Sequence, residues 1–212
     1  MIGKGKCFSS CNRGQRNKSD LYITPISMIK QLLENEYFDK NKNVYEPCAD
    51  IKYRTIVKEC GKYFNKEKVS YNGLDLQPAS YGDYLTEDLI NNSDYVITNP
   101  PFSLAFEFIQ KSKEVAKIKF AMLLPLSYLH GQKRYENKIF LDQDYPLTKI
   151  YVFTRYPLLT STIRKDGKYN TGMQVYAWFI WENNNNCKID LSRIPIIYWI
   201  DNNKYVLRKN DE

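Results

Sequence analysis

Short apolar runs alternate with amphipathic segments along most of this chain, and this alternation restricts the folds that it can adopt. Residues 69–74 and 94–98 predict strands, and residues 120–124 form a continuous apolar run that is typical of a buried strand. Between them, residues 53–64 and 104–116 place apolar side chains at helical spacing. We therefore expect a three-layer α/β fold with a mostly parallel sheet.

The segment before these strands predicts one more helix and one more strand. Residues 25–37 carry apolar side chains at helical spacing, with Thr24 as a possible N-cap and Pro25 at the first helical position. Residues 44–47 predict a short strand that runs into a polar turn.

The last two predicted strands, residues 149–153 and 174–181, have no helical pattern between them, so we expect them to pair antiparallel. The 212 residues suffice for one well-cored domain. We expect a basic flexible arm over residues 1–19, the α/β domain over residues 20–182, and a C-terminal extension over residues 183–212 that packs on the same domain or trails from it.

Composition narrows the classes of function. The net charge of +7 fits a polyanionic partner, although a solvated lysine-rich surface explains it equally well. Five scattered cysteines and a single histidine, His130, disfavour disulfides, a metal site and Ser-His-Asp chemistry. No apolar run has the roughly 18 residues of a membrane helix. Residues 1–18 lack the apolar centre of a secretory signal, which favours the cytoplasm.

The sharpest motif is Asn99-Pro100-Pro101-Phe102, which follows a predicted strand and precedes a predicted helix. Two prolines remove backbone donors and fix φ, so nearby carbonyls stay available as acceptors. The Asn99 side-chain oxygen and the Pro100 carbonyl would bind both hydrogens of an adenine amino group and make its nitrogen nucleophilic. Phe102 would stack on a base flipped out of the helix. The alternative is a simple turn that closes the strand, with Phe102 in the core.

With this motif the chain resembles the S-adenosylmethionine-dependent DNA N6-adenine methyltransferases, in particular their small phage-type members, over residues 20–182. The segments that carry the resemblance, in the family's order, are Asp20-Leu21-Tyr22-Ile23-Thr24-Pro25, Glu46-Pro47-Cys48-Ala49, Asp75, Gly82-Asp83-Tyr84 and Thr98-Asn99-Pro100-Pro101-Phe102-Ser103. The resemblance implies a Rossmann-like methyltransferase fold with a C-terminal antiparallel strand. It also implies S-adenosylmethionine as cofactor, double-stranded DNA as partner, no metal, and a monomer or weak dimer.

The resemblance further implies the site residues. Catalysis would rest on Asn99, Pro100, Pro101 and Phe102. The cofactor contacts would be Tyr22, Thr24, Pro25, Glu46, Pro47, Cys48, Ala49, Asp75, Asp83 and Tyr84. Asp75 would accept the ribose hydroxyls, although its spacing fits a turn equally well. Glu46 ends a buried strand, where an unpaired charge is costly, so the cofactor's amino group is a reasonable partner for it.

One departure from the family pattern concerns the cofactor loop. Where the family usually has a Gly-x-Gly turn, this chain has Asp50-Ile51-Lys52, whose side chains are expected to crowd the cofactor. A catalytically weakened nucleic-acid-binding relic of the same fold therefore stands as an alternative. A cytosine-N4 methyltransferase is a second one, because the same acceptors serve that amino group.

DNA contacts are expected in the polar loop between the last two predicted strands. Its basic residues are Arg155, Arg164, Lys165 and Lys168, and tyrosines lie between them. Positively charged side chains bind phosphates, and aromatic rings stack on splayed bases. The alternative is a solvated hairpin.

Overall fold

The computed structural model describes residues 23–50, 53–74, 84–85, 93–154, 175–187, 190, 192 and 194–201. The helices in these parts of the chain are α1 (Ile26–Asn35), α2 (Thr55–Phe64), α3 (Ala105–Val115), α4 (Gln132–Glu136) and α5 (Asn184–Cys187). The strands are β1 (Val44–Asp50), β2 (Val69–Leu74), β3 (Ser93–Thr98), β4 (Ala116–Pro125), β5 (Leu147–Phe153), β6 (Tyr176–Glu182) and β7 (Ile196–Ile200). None of the helices described is long and apolar enough to cross a membrane.

The strands form one sheet in the order β2-β1-β3-β4-β6-β5-β7. Strand β6 runs antiparallel to both neighbours, and every other pairing in the sheet is parallel. The predicted α/β fold and the predicted antiparallel pairing of the last two strands, β5 and β6, are therefore confirmed. Strand β7, which was not predicted, pairs with β5 and adds a parallel strand from the C-terminal extension.

Both faces of the sheet are apolar, because consecutive side chains of a strand point to opposite sides. In β4, Phe120, Met122 and Leu124 face a core beneath α3, whereas Ala121 and Leu123 face a core beneath α1 and α2. Helices thus cover both faces, and such burial explains why these strands read as continuous apolar runs.

The sheet reverses its winding between β1 and β3. From β1 the chain crosses through α2 to β2 on one side, and from β3 it crosses through α3 to β4 on the other. The β1–β3 ladder joins Val44 to Tyr95 and Tyr45 to Val96, and it extends no further along these described strands. Pro47 has no N–H with which to continue it. Open α/β sheets bind ligands at such a switch point, beyond the carboxyl ends of the strands.

Two local predictions were wrong. Helix α1 begins at Ile26 with Pro25 in the N-cap position, so Thr24 does not cap it. Strand β1 continues to Asp50 instead of turning after Pro47. An irregularity in its pairing with β2, between Glu46 and Ala49, accommodates the proline and lets the strand go on.

A group of four charges, two of them buried and two half-buried, lies at the opposite edge of the sheet. Lys119 Nζ is 2.5 Å from Glu36 Oε1 and 2.8 Å from Glu182 Oε1. Lys149 Nζ is 3.0 Å from Glu36 Oε2 and 3.5 Å from Glu182 Oε1. The two positive and two negative charges balance, so this network is satisfied internally and ties β4, β5 and β6 to the end of α1.

Candidate active site

The site begins with a buried carboxyl group at the switch point. Glu46 in β1 is 1% exposed. Its Oε1 accepts the backbone N–H of Cys48 at 2.8 Å and the hydroxyl of Thr98 at 2.7 Å. Its Oε2 is also buried, and it has no hydrogen-bond partner in the part of the chain that the structure describes. One carboxyl oxygen is therefore fixed in place, and the other lacks the partner that a buried acceptor requires.

Burial dominates the electrostatics of this group. It raises the pKa of Glu46 from 4.5 to about 8, against the opposing hydrogen bonds from Thr98 and Cys48. Removal from water disfavours the charged form of a carboxyl group. Strongly shifted pKa values of this kind cluster at functional positions.

Asn99 follows Thr98 directly, just beyond the carboxyl end of β3. Its side-chain Nδ2 donates to the hydroxyl of Thr24 at 3.1 Å. Thr24 is 4% exposed and immediately precedes Pro25 at the start of α1. This hydrogen bond joins two segments with different predicted roles, the one in cofactor contact and the other in catalysis.

The two prolines after Asn99 are buried, and they lead into a 3₁₀ turn over Phe102–Leu104. The Pro101 carbonyl accepts the N–H of Leu104 at 2.9 Å and closes that turn. The Pro100 carbonyl takes no part in this closing bond.

The Phe102 ring lies beside Tyr176, the first residue of β6, with the ring centroids 5.3 Å apart and the planes at 38°. Phe102 is half-buried and packs against both hydrophobic cores. The core contact named as the simpler alternative is therefore present. Tyr176 was not predicted as a site residue. It lies here because β6 pairs with β4 in a register that places Tyr176 opposite Pro125, and the local sequence does not reveal that register.

Asp50 binds the backbone between β1 and α2, where the family pattern has a Gly-x-Gly turn. It remains extended at the end of β1, and its Oδ1 accepts the N–H of Tyr53 at 2.5 Å. Its Oδ2 accepts the N–H of Thr55 at 3.4 Å, and its carbonyl accepts the N–H of Arg54. Arg54, and not Asp50, adopts the left-handed conformation, with a φ of 47°. The Asp50 carboxyl group thus lies at the start of α2 and accepts the first N–H group of the helix, that of Thr55.

The remaining predicted cofactor residues differ in their surroundings. Pro25 is half-buried at the start of α1, and Pro47, Cys48 and Ala49 are buried in β1. Tyr84 is fully buried: its hydroxyl lies 2.7 Å from that of Ser112, and its ring packs on Phe108. Those predicted site residues that lie outside the described residues are Tyr22, Asp75, Asp83, Arg155, Arg164, Lys165 and Lys168.

Thr98 is the polar residue of this site that sequence reasoning passed over. It is fully buried and links Glu46 to the segment of Asn99. A threonine at the end of an otherwise apolar strand was the available signal. The side chains in the described parts of the chain contain no group of three or more histidine, cysteine, aspartate or glutamate residues placed to hold a metal ion.

No protein-family model matches this sequence, and no curated protein matches it either. Solved structures are nevertheless similar. One is the methyltransferase subunit of a type I restriction-modification system from Streptococcus thermophilus, with a TM-score of 0.56, 15% identity, and coverage of 90% of this chain and 49% of that one. This chain thus matches about half of that subunit.

Two further structures resemble the chain to the same degree. A protein from Listeria monocytogenes assigned to the class I S-adenosylmethionine-dependent methyltransferases has a TM-score of 0.55 and 15% identity, covering 89% of this chain and 68% of its own. DrdV, solved in complex with DNA, has a TM-score of 0.56 and 12% identity, covering 90% of this chain and 29% of its own. The chain therefore has the Rossmann-like methyltransferase fold, as predicted.

Proposed function

We propose that this protein transfers a methyl group from S-adenosylmethionine to N6 of adenine in double-stranded DNA. The observation that carries the proposal is the placement of Asn99-Pro100-Pro101-Phe102 at the switch point of a methyltransferase fold, one residue after the threonine that binds Glu46. Several structural neighbours are methyltransferases, and DrdV was solved with DNA, which supports both the reaction class and the partner.

The residues of the site fit the amino end of the cofactor. When Glu46 is ionised, its buried Oε2 needs a donor, and an ammonium group is a donor that also compensates the buried charge. We infer that Glu46 holds the cofactor's ammonium group while Thr98 and Cys48 fix the other carboxyl oxygen. When bound, the cofactor supplies an electrophilic methyl group on a sulfonium centre.

The residues of the chain then serve to position the target amino group against the methyl group. The Asn99 side-chain oxygen and the Pro100 carbonyl accept the two hydrogens of the target amino group and orient its lone pair toward the methyl group. Phe102 contacts the face of the flipped base. An in-line transfer between held reactants gains most of its rate from such alignment. Asp75, Tyr22, Asp83 and Tyr84 remain proposed cofactor contacts, and Arg155, Arg164, Lys165 and Lys168 remain proposed phosphate contacts.

A second candidate function rests on Asp50. Its carboxyl group accepts the N–H of Tyr53 and, at 3.4 Å, that of Thr55, so it competes with a cofactor carboxylate at the start of α2. This favours a protein of the same fold that binds nucleic acid and has lost methyl transfer. Calorimetric titration with S-adenosylmethionine separates the two candidates. Micromolar binding supports the enzyme, and no binding at millimolar cofactor supports the relic.

The identity of the target base is tested on the product. Incubation with duplex DNA and cofactor, followed by nucleoside analysis, should yield N6-methyladenine. N4-methylcytosine instead would assign the same acceptors to cytosine.

A further inference from the structure

The hydrogen bond between Thr24 and Asn99 suggests a role for Thr24 that the family resemblance does not include. We propose that Thr24 is a positioning residue, whose hydroxyl holds the Asn99 side-chain amide in place at the end of β3. This inference rests on the proposed function of Asn99 as acceptor for the target amino group.

The reason lies in the two ends of the amide. An asparagine side chain carries one acceptor oxygen and one donor NH₂ group, and a half-turn about its last torsion exchanges them. A target amino group must meet the oxygen, because NH₂ facing NH₂ places two donors against each other. Nδ2 of Asn99 donates to Thr24 Oγ1 at 3.1 Å. With the NH₂ group bound on that side, Oδ1 lies on the opposite side of the amide.

Thr24 is itself held in place by the packing of α1. The hydroxyl belongs to a side chain that is 4% exposed, in the residue just before Pro25. One turn further on, the Met28 carbonyl accepts the indole N–H of Trp178 in β6 at 3.0 Å, inside the core. Met28, Ile29 and Leu32 are fully buried against the sheet. A site gains precision when such a second layer of contacts fixes its reacting groups.

Thr24→Val tests the proposal, because valine keeps the shape of threonine and removes the oxygen. We expect kcat to fall about 10- to 100-fold while the KM for DNA and the Kd for S-adenosylmethionine stay within about twofold. Thr24→Ser restores a hydroxyl and should recover most of kcat. The matched control is Thr148→Val, since Thr148 is also buried and hydrogen-bonded but lies at the other edge of the sheet, on Glu182.

A second measurement does not depend on activity. In ¹⁵N-labelled protein, the Asn99 side-chain NH₂ signals are assigned by their loss in Asn99→Asp. Their hydrogen exchange should be roughly two- to tenfold faster in Thr24→Val than in the wild type, and slow again in Thr24→Ser.

The outcomes are distinct. Unchanged kcat and unchanged exchange in folded Thr24→Val overturn the positioning role. A weaker cofactor affinity with unchanged kcat also overturns it, and makes Thr24 a cofactor contact instead. If the wild type transfers no methyl group, the proposed function fails, and the exchange measurement alone decides whether Thr24 orients Asn99.

Discussion

Thr98 Oγ1 donates a 2.7 Å hydrogen bond to Glu46 Oε1, so the residue just before Asn99 is bound to the buried carboxyl group of the neighbouring strand. The bond bridges β1 and β3 beyond Tyr45, where their backbone ladder ends. It brings the proposed cofactor residue and the proposed catalytic segment into one connected unit, whose behaviour depends on the protonation of Glu46.

The first prediction concerns stability against pH. The pKa of Glu46 is about 8 in the folded protein and 4.5 ordinarily, so the folded state holds this proton more tightly. Its contribution to stability is fully present below about pH 4.5 and is lost as the pH rises through 8. Between pH 4.5 and pH 8, the free energy of unfolding of the wild type should fall by on the order of 3 to 5 kcal/mol more than that of Glu46→Gln. Urea unfolding of both proteins at several pH values measures the difference, and parallel curves would contradict it.

The second prediction concerns cofactor binding. If ionised Glu46 holds the ammonium group, the Kd for S-adenosylmethionine should fall as the pH rises from 6 toward 8, by up to about tenfold per pH unit. In Glu46→Gln the affinity should be weak and should lack this dependence. Equal affinity of the two proteins at pH 8 would exclude the pairing.

The third prediction concerns the buried charge network. Glu36→Gln leaves Lys119 and Lys149 with one carboxylate between them, so it should cost about 3 to 5 kcal/mol of unfolding free energy. The matched control is Glu114→Gln, because the side chain of Glu114 is 68% exposed and its pair with Lys111 lies at the surface. That change should cost less than about 1 kcal/mol. Similar losses in the two variants would mean that the network contributes no more than a surface pair.

The fourth prediction concerns DNA. Replacing Arg164, Lys165 and Lys168 with alanine should weaken binding to all duplexes and reduce the log–log salt slope by about one per lost phosphate contact. Cofactor affinity should not change. The comparison variant is Lys133→Ala with Lys138→Ala, two exposed lysines in and just after α4. If the salt slope is unchanged in the triple variant and reduced in the double variant, the DNA-binding surface lies at α4 and not in the loop.

Much of the fold could be predicted because its central strands are buried on both faces. Phe120–Leu124 is apolar on both sides for this reason, and Asn99 could be assigned because it ends the strand of Val96 and Ile97. Strand β7 was missed although Ile196–Ile200 has the β-branched and aromatic composition of a strand, and four of its five side chains are exposed.

The contacts within the site were harder to predict, since they join distant positions. Thr24 and Asn99 are 75 residues apart, and Thr24 beside Pro25 resembles an ordinary helix cap. The network of Glu36 and Lys119 left a signal that could have been used. A lysine within an apolar strand requires a buried partner, and Lys119 lies directly opposite Glu182 in the sheet.

The most direct test of the account is methyl transfer itself. Purified wild-type protein and Asn99→Ala are incubated with S-adenosylmethionine carrying a labelled methyl group and with duplex DNA of varied sequence, and the nucleosides are then analysed by mass spectrometry. Circular dichroism and thermal melting establish that both proteins are folded. We predict labelled N6-methyladenine with the wild type and none with Asn99→Ala. A folded, cofactor-binding wild type that labels no adenine, or an Asn99→Ala variant that labels it equally well, would contradict the account.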